Sequence, residues 1–512
     1  MVLSDLCLKQ FTFFKNALNK NEEWATKFKD TSANIQYSGM LHGITRNLGL
    51  FSECENFVHE TNSSGIGTFH GQHCLISYEA DIDYVKRYKN LLLLYEYPSP
   101  MNKSKLQYGF CFPKSCSPED INELAKYEIL TQKQLNFVGT FCQTTQQRTE
   151  FKIFDYFAVL FFVTLFGLII SSTLYDVMKK RNKLAVNSNK LFTLFSVCLR
   201  VLAAFWIVAG HCIHLLTRIH FTENFNKFER ETAVLIGFHL LAVETFLVIG
   251  GFLAAQSFMK AFKRQNFSYF KCMFKRYLRY GPAFHVLLLF FASSIANLTF
   301  NGPMIGELLR RQDICRDTWW AQLLMINDFV GMKCLSHAWY LAVDFKFYLI
   351  TPLLVSLLMK YGKKTVGFLV AVVLIDYSVI FYCYLKDVIP YDRLYHESTF
   401  RIGSWLIGVI LGYVMQEHNP KISKGKTLIG WIISYASIIG IMFGWSRYES
   451  REAYAFNQAM NSFIWSLHTA WIIYACHYLK SGGIIRRFLE HHMWQPLAKL
   501  CLSIYLTHYL FI

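Results

Sequence analysis

The chain has 512 residues, of which 53% are hydrophobic and 17% aromatic, and its formal net charge is +17. So high an apolar content excludes an ordinary soluble protein and indicates several membrane spans. The positive charge lies in basic blocks beside apolar runs, which is typical of cytosolic loops in membrane proteins and argues against nucleic-acid binding.

Residues 1–150 are predicted to form a water-soluble domain. Six of the fourteen cysteines lie here: Cys7, Cys54, Cys74, Cys111, Cys116 and Cys142. Together with N-x-[ST] sequons at Asn62 and Asn102, this even cysteine set indicates a disulfide-bonded, glycosylated domain outside the cell or in a lumen. The spacing leaves the disulfide connectivity open. The start, "MVLSDLCLKQFTFFKN", lacks the features of a signal peptide, so either a leader is missing or the first span exports this domain.

From residue 151 onward, apolar runs alternate with short charged loops. About ten of these runs come close to the length that a transmembrane helix needs, and the last is cut short by the end of the chain. The predicted spans lie near residues 154–175, 198–217, 233–255, 280–298, 338–359, 366–386, 400–416, 427–445, 462–479 and 498–512. In the longest outer loop, Cys315 and Cys334 are candidates for a further disulfide.

The charges of the loops predict the orientation of the spans. Residues 260–279 contain seven Lys or Arg and no Asp or Glu, whereas residues 299–337 contain four basic and four acidic residues. Under the positive-inside rule the first loop is cytosolic and the amino-terminal domain is outside. We therefore expect a first helix and a basic cytosolic linker over 151–197, followed over 198–512 by a membrane domain that is incomplete at its carboxyl end.

An arginine and a histidine interrupt the apolar run "RVLAAFWIVAGHCIHLL". Arg200 and His211 lie on one face of a helix, about 16 Å apart along its axis. An ionisable group inside a membrane helix is a functional candidate, and a neutral imidazole can accept a proton from a substrate hydroxyl. Each residue also has a plain alternative: His211 as a polar contact between helices, and Arg200 as a side chain reaching lipid phosphates. His214 is expected to face the membrane interface.

Other charged residues near apolar runs are further candidates. Arg276 and Arg279 in "KRYLR" lie one turn apart, where two guanidiniums can grip a phosphate, although positive-inside charge explains them equally well. Three acidic residues in apolar surroundings each need a buried partner: Glu244, Asp344 and Asp376. Lys346 lies two residues from Asp344 and is expected to point elsewhere on the helix. Glycines in "GGFLAA" and "IGVILG" are expected to allow close helix contact.

These motifs resemble a known family. Arg200-x10-His211 is similar to the R-x10-H signature of the acyltransferase 3 superfamily, and Arg276-x-x-Arg279 to its RxxR loop motif. "AVETFLVIGGFL" resembles the family segment "VDxFFxLSGFL", and "SHAWYLAVDFKFY" resembles "WxLxxDxQFY". "YGFCFPKSCSPEDI" and "SIYLTHYLF" resemble the nose resistant to fluoxetine branch of invertebrates.

The resemblance implies acyl transfer, with acyl-CoA as the usual donor. We expect a lipid or another hydroxyl compound as acceptor, and no bound cofactor or metal. His211 would be the catalytic residue. Residues at or near the donor site would be Arg200, Arg276, Arg279, Asp344 and Glu244. The chain departs from the family pattern at three positions: Glu244 replaces an aspartate, Gly250 a serine and Lys346 a glutamine.

Together these features predict an all-α polytopic membrane protein with a disulfide-rich extracellular domain, located in the plasma membrane. The preferred function is acyl transfer. The alternative is a non-catalytic transporter or receptor for lipids or small hydrophobic molecules, since members of this branch are associated with lipid handling. A continuous apolar tunnel without a basic mouth near Arg276 would favour the alternative.

Overall fold

A computed structural model of the chain describes residues 3–34, 46–61, 65–80, 105–130, 135–142, 151–180, 194–219, 238–299, 302–330, 334–417, 424–444, 450–478 and 487–510. The chain divides into two compact units, which we describe separately. The first comprises Met1–Gly167, His214–Glu231 and Phe290–Ile314, and the second comprises Leu168–Ile213, Thr232–Leu289 and Cys315–Ile512.

A small sheet with flanking helices forms the amino-terminal part of the first unit. Its elements are α1 (Asp5–Asn19), α2 (Glu23–Asp30), β1 (Arg46–Asn47), α3 (Phe51–Glu55), β2 (Val58–His59), β3 (Phe69–Ala80), β4 (Lys105–Pro113), α4 (Pro118–Leu130) and β5 (Leu135–Cys142). The strand order is β1-β4-β3-β2, and β5 also pairs with β3. The β1–β4 pair is parallel and the others are antiparallel. Leu106, Tyr108, Phe110 and Phe112 of β4 pack into one core cluster, as expected for residues on one face of a strand, while Cys111 on the other face is buried in a second cluster.

Three disulfides hold this sheet and its helices together. They join Cys7 to Cys116, Cys54 to Cys111, and Cys74 to Cys142. The last of these links β3 to β5 at directly paired positions. The predicted disulfide-rich domain is thereby confirmed, with the connectivity that spacing had left open.

The carboxyl-terminal half is helical in its described residues. Its helices are α5 (Ile153–Lys180), α6 (Leu194–Ile219), α7 (Ala242–Lys263), α8 (Tyr269–Ala292), α9 (Ile295–Thr299), α10 (Ile305–Leu323), α11 (Asn327–Val330), α12 (Trp339–Tyr361), α13 (Lys363–Lys386), α14 (Tyr391–His396), α15 (Ile402–Glu417), α16 (Lys424–Gly444), α17 (Arg451–Tyr478) and α18 (Trp494–Thr507). Short 3-10 turns precede α7 and α12 and follow α18. A fourth disulfide joins Cys315 to Cys334, as the sequence suggested.

Glycines bring α7 and α15 into backbone contact. A Cβ atom at Gly251 would lie 2.2 Å from the carbonyl oxygen of Trp405, and one at Gly408 would lie 2.1 Å from that of Val248. No other residue leaves room for so close an approach, which agrees with the packing role expected for these glycines.

Four helical segments of the described chain are long and apolar enough to cross a membrane. They are Ile153–Tyr175, His239–Lys263, Ser336–Tyr361 and Lys363–Lys386, and shorter apolar helices cover Val197–Ile213, Ile402–Glu417 and Gly425–Ile441. These segments indicate an integral membrane protein.

Two parts of the predicted fold need revision. The expectation of an all-α chain is not confirmed, because residues of the amino-terminal domain form the five strands of a sheet. The predicted number of ten spans is not confirmed: within the part of the chain that the structure describes, four helical segments are long and apolar enough to cross a membrane.

Candidate functional site

A cleft in the second unit collects most of the predicted site residues. It has a volume of about 170 Å³ and is lined by side chains of α6, α7, α8, α12 and α18. Its charged lining residues are Arg200 from α6, Arg276 and Arg279 from α8, and Asp344 from α12. The rest of its lining is mainly apolar or aromatic. Residues far apart in the sequence thus meet at one place.

Arg276 and Asp344 form a buried ion pair within the cleft. One guanidinium nitrogen of Arg276, Nη2, donates to both carboxylate oxygens at 2.8 and 2.6 Å. The hydroxyl of Tyr340 donates to the same carboxylate at 3.3 Å, and the guanidinium of Arg276 lies 4.7 Å from the centre of the Tyr348 ring. These contacts hold the Arg276 charge in one position on the wall of the cleft.

The cleft has an excess of positive charge. Asp344 offsets one of its three guanidiniums, all of which stay protonated in proteins. Arg279 is exposed, whereas Arg200 and Arg276 are half-buried. Several arginines around one opening, partly shielded from water, form a favourable environment for phosphate groups.

Gly250 lies where α7 passes the ion pair. A Cβ atom there would lie 2.6 Å from the Trp405 ring and 3.2 Å from Oδ1 of Asp344. A side chain at this position would crowd both neighbours. The packing of Trp405 therefore accounts for glycine in place of the serine of the family pattern.

His211 lies one helical turn beyond the cleft. Ile207 lines the cleft, and His211 follows it four residues later on the same face of α6, about 6 Å further along the helix axis. A similar relation holds in the 3-10 turns beside two other helices: His337, before α12, precedes the lining residue Tyr340 by three residues, and His508, after α18, follows the lining residue Tyr505 by three. Three histidines therefore lie one turn past the same end of the cleft.

These histidines are in direct contact. Nδ1 of His211 lies 2.8 Å from Nε2 of His508, and the two rings meet edge to edge with nearly parallel planes and centroids 5.1 Å apart. His337 contacts the His508 ring edge-on at 5.1 Å. His239 contacts the His211 ring at 5.4 Å, in a space that exists because residue 210 is glycine. The tyrosine ring of residue 509 also packs on His211 and His337.

The sequence singled out only one member of this group. His239, His337 and His508 stand in "FHLL", "SHAWYLAVD" and "SIYLTHYL", where each is a lone histidine in an apolar segment. That context was a signal, because a polar ring inside a membrane helix needs a partner. The partners could not be assigned without the fold, since His211 and His508 are 297 residues apart.

Glu244 and Asp376 lie in a separate buried network. Arg401 and the hydroxyl of Ser404 both donate to the Glu244 carboxylate, which is fully buried. The backbone N–H of Gly403 donates to Asp376 at 3.0 Å. Glu244, expected at or near the donor site, is thus placed in an ion pair outside the lining of the cleft.

Lys346 is directed away from the cleft. Its ammonium group donates to the buried carboxylate of Asp328 and to the hydroxyl of Ser398, and it lies 3.7 Å from the centre of the Phe329 ring. Lysine in place of the glutamine of the family pattern therefore adds no unpaired cation to the cleft. The side chain of His214 lies outside the described residues.

Comparison with known proteins assigns the chain to a family. The model of the acyltransferase 3 family, described as an acyltransferase domain, matches residues 195–512, and that of the nose resistant-to-fluoxetine protein amino-terminal domain matches residues 7–125. The chain belongs to the acyltransferase 3 family, in its nose resistant to fluoxetine branch. It is an acyltransferase-like membrane protein.

Individual relatives are distant and longer. The chain is 22% identical to nose resistant to fluoxetine protein 6 of Caenorhabditis elegans over 503 residues, which covers 79% of this chain and 60% of that protein. It is 24% identical over 290 residues to the regulator of hypoxia-inducible factor 1 of the same organism, which covers 48% of this chain and 56% of that protein. It is 25% identical over 287 residues to the O-acetyltransferase OatA of Staphylococcus aureus, covering 52% and 45%. The chain thus spans between 45% and 60% of these relatives. No solved structure matches it.

Proposed function

We propose that the protein is an integral-membrane acyltransferase that moves an acyl group from a coenzyme A thioester to a hydroxyl of a lipid or other acceptor. The observation that carries this proposal is the arrangement along α6. Arg200 lies at the cationic part of the cleft, Ile207 lines its wall, and His211 follows one turn beyond. One helix thus connects a cationic region of the cleft to a titratable ring.

The charge of the cleft supports a phosphorylated donor. The phosphates of coenzyme A would bind the exposed guanidinium of Arg279 and the half-buried ones of Arg200 and Arg276. The apolar and aromatic lining suits the rest of an acylated arm. The thioester would then be directed towards the histidine end of the cleft.

His211 would act as the general base. Its neutral imidazole takes the proton of the acceptor hydroxyl, and the oxygen attacks the thioester carbonyl carbon. As the new C–O bond becomes an ester, the C–S bond breaks, and the leaving thiolate receives the proton from the imidazolium. Acceptor ester and free coenzyme A are the products, and the histidine returns to its starting state.

The orientation in the membrane is part of the same proposal. The donor is made in the cytosol, and the predicted cytosolic loop 260–279 contains both Arg276 and Arg279. The three disulfides of the amino-terminal domain favour an oxidising compartment on the opposite side, consistent with a plasma-membrane location. The sequons at Asn62 and Asn102 lie outside the described residues, and glycosylation there stays a prediction.

A labelling experiment tests the reaction. Membranes containing the full chain are incubated with radiolabelled acyl-CoA of several chain lengths, and label is followed into lipid and glycan. We expect incorporation with the unsubstituted protein and its loss in His211→Ala at equal abundance. His468→Ala is the matched control, because His468 is also a histidine of the helical region but bonds to Ser434 on α16.

Two results would contradict the proposal. Equal incorporation with His211→Ala would remove this residue as the base. Absence of incorporation with every donor, in protein shown to be folded, would favour the transporter or receptor alternative, which uptake of labelled lipid could then test directly.

A further inference from the structure

We infer that His508 is a positioning residue, which holds the His211 ring in the tautomer and orientation that general-base catalysis requires. The catalytic role of His508 rests on the proposed function, whereas the hydrogen bond between the two rings rests on geometry alone. His508 stands in the 3-10 turn that follows α18, and its side chain is buried.

The backbone fixes the tautomer of His508. Its Nδ1 lies 2.7 Å from the carbonyl oxygen of Tyr505, which can only accept a hydrogen bond. Nδ1 of His508 must therefore carry a proton. The rings that contact His508 belong to His211, His337, Tyr505 and Tyr509, and none of these is negatively charged at neutral pH. Among the residues that the structure describes, none forms an ion pair with His508, and a buried cation without a counter-ion is costly. The neutral ring is therefore favoured, with a lone pair on Nε2.

The tautomer of His211 follows from that of His508. Nδ1 of His211 faces the lone pair on Nε2 of His508 at 2.8 Å, so Nδ1 of His211 is the donor. In a neutral imidazole the second nitrogen then carries the lone pair. Nε2 of His211 is therefore the basic nitrogen. The Tyr505 carbonyl, His508 and His211 thus form a row of hydrogen bonds, in which each acceptor determines which nitrogen of the next ring carries the proton.

The same hydrogen bonds also stabilise the protonated form of His211 during the reaction. When Nε2 of His211 takes a proton, the positive charge is shared with Nδ1–H, which continues to donate to His508. Because this hydrogen bond already fixes the orientation of the His211 ring, the ring loses less conformational freedom when the reaction occurs. Nothing in this scheme requires His508 to touch either substrate.

Two substitutions separate the hydrogen bond from simple packing. His508→Phe keeps an aromatic ring at the same position but removes the acceptor, whereas His508→Gln keeps an acceptor oxygen close to the position of Nε2. We expect His508→Phe to lower kcat by about 100-fold, within the range for general-base catalysis, and to leave the KM for acyl-CoA unchanged. His508→Gln should recover a substantial part of kcat. A wild-type kcat in folded His508→Phe, or equal losses in the two variants, would overturn the inference.

A spectroscopic measurement tests the bond without relying on turnover. Solid-state NMR of ¹⁵N-histidine-labelled full chain in lipid, with the His211 signals assigned from a His211→Gln sample, reports which ring nitrogen is protonated. We expect His211 to be protonated at Nδ1 in the unsubstituted protein and to become a mixture of tautomers in His508→Phe. A His211 ring protonated at Nε2 in the unsubstituted protein would overturn the inference.

The kinetic and NMR measurements distinguish failure of this inference from failure of the proposed function. If the unsubstituted protein transfers no acyl group but shows the expected tautomer, the proposed reaction fails and the His211–His508 bond stands. If transfer occurs and depends on His211 but not on His508, the proposed reaction stands and the positioning role fails.

Discussion

At the scale of single residues, two neighbours in α12 show how position on a helix separates roles. Asp344 and Lys346 are two residues apart, so their side chains leave the helix in different directions. Asp344 pairs with Arg276 in the cleft, and Lys346 pairs with Asp328 outside it. Lys346, which departs from the family pattern, is therefore accommodated by an ion pair with the buried carboxylate of Asp328.

We predict that Lys346→Gln destabilises the protein rather than altering donor binding. The substitution leaves the fully buried side chain of Asp328 without its charged partner, which costs about 3–5 kcal/mol for a broken buried pair. Thermal unfolding in detergent measures the change, and Lys346→Gln combined with Asp328→Asn should recover most of it. Lys263→Gln is the control, since its pair with Glu417 is partly exposed to solvent and contributes at most about 1 kcal/mol. Unchanged stability in Lys346→Gln would contradict this interpretation.

Asp120 provides a second residue-scale test, in the disulfide-bonded domain. Its carboxylate accepts hydrogen bonds from the backbone N–H and hydroxyl of Ser4 and from the backbone N–H of Ser117. The Ser117 hydroxyl in turn accepts from the N–H of Asp120, so the pair caps the start of α4. Burial alone raises the pKa of Asp120, but the hydrogen bonds outweigh it and the pKa is lowered.

A lowered pKa in the folded state predicts loss of stability in acid. The ionised carboxylate stabilises the fold above its unfolded pKa of about 4, and this contribution disappears as pH falls through the lower folded value. Hydrogen-exchange protection of residues 5–19 in the full chain should therefore decrease as pH is lowered below about 4. In Asp120→Asn protection should be lower near neutral pH and less dependent on pH. The same pH dependence in both proteins would contradict the assignment.

At the scale of elements, the crossing of α7 and α15 depends on residues without side chains. We predict that Gly251→Ala destabilises the protein by about 1–3 kcal/mol, because the added methyl group would overlap the backbone of Trp405. Gly367→Ala on α13 is the matched control. A Cβ there meets nothing within 4 Å, so alanine should be neutral or slightly stabilising. Equal melting temperatures for the two variants would show that the close approach is not required.

The elements also show which features could be predicted from the sequence. Arg200 and His211 could be placed on one face because a single helix contains both, and helical periodicity relates them. Arg276 and Asp344 were each identified, but no pattern pairs residues that are 68 positions apart. The sheet was missed because six cysteines dominated the interpretation of residues 1–150, although the alternation from Leu106 to Phe112 was a strand signal.

At the scale of the whole molecule, the two units have different sources of stability. The amino-terminal sheet is cross-linked by three disulfides around an apolar and aromatic core, which suits a small domain in an oxidising compartment. In the second unit, buried ion pairs and glycine-mediated contacts join helices whose outer surfaces are apolar. The proposed reaction depends on the second unit, because the arginine cleft and the histidines all lie there.

The central claim is that the arginine cleft binds the donor while His211 performs the chemistry. The most direct measurement is equilibrium binding of a non-hydrolysable thioether analogue of acyl-CoA to purified full chain, with acyl transfer assayed on the same preparations. We predict that His211→Ala binds the analogue with unchanged affinity and loses transfer by about 100-fold or more. Arg279→Gln should show the opposite pattern, with binding weakened roughly tenfold by loss of a charged hydrogen bond. Loss of binding in folded His211→Ala, or full binding and full transfer in Arg279→Gln, would contradict the assignment of these two roles.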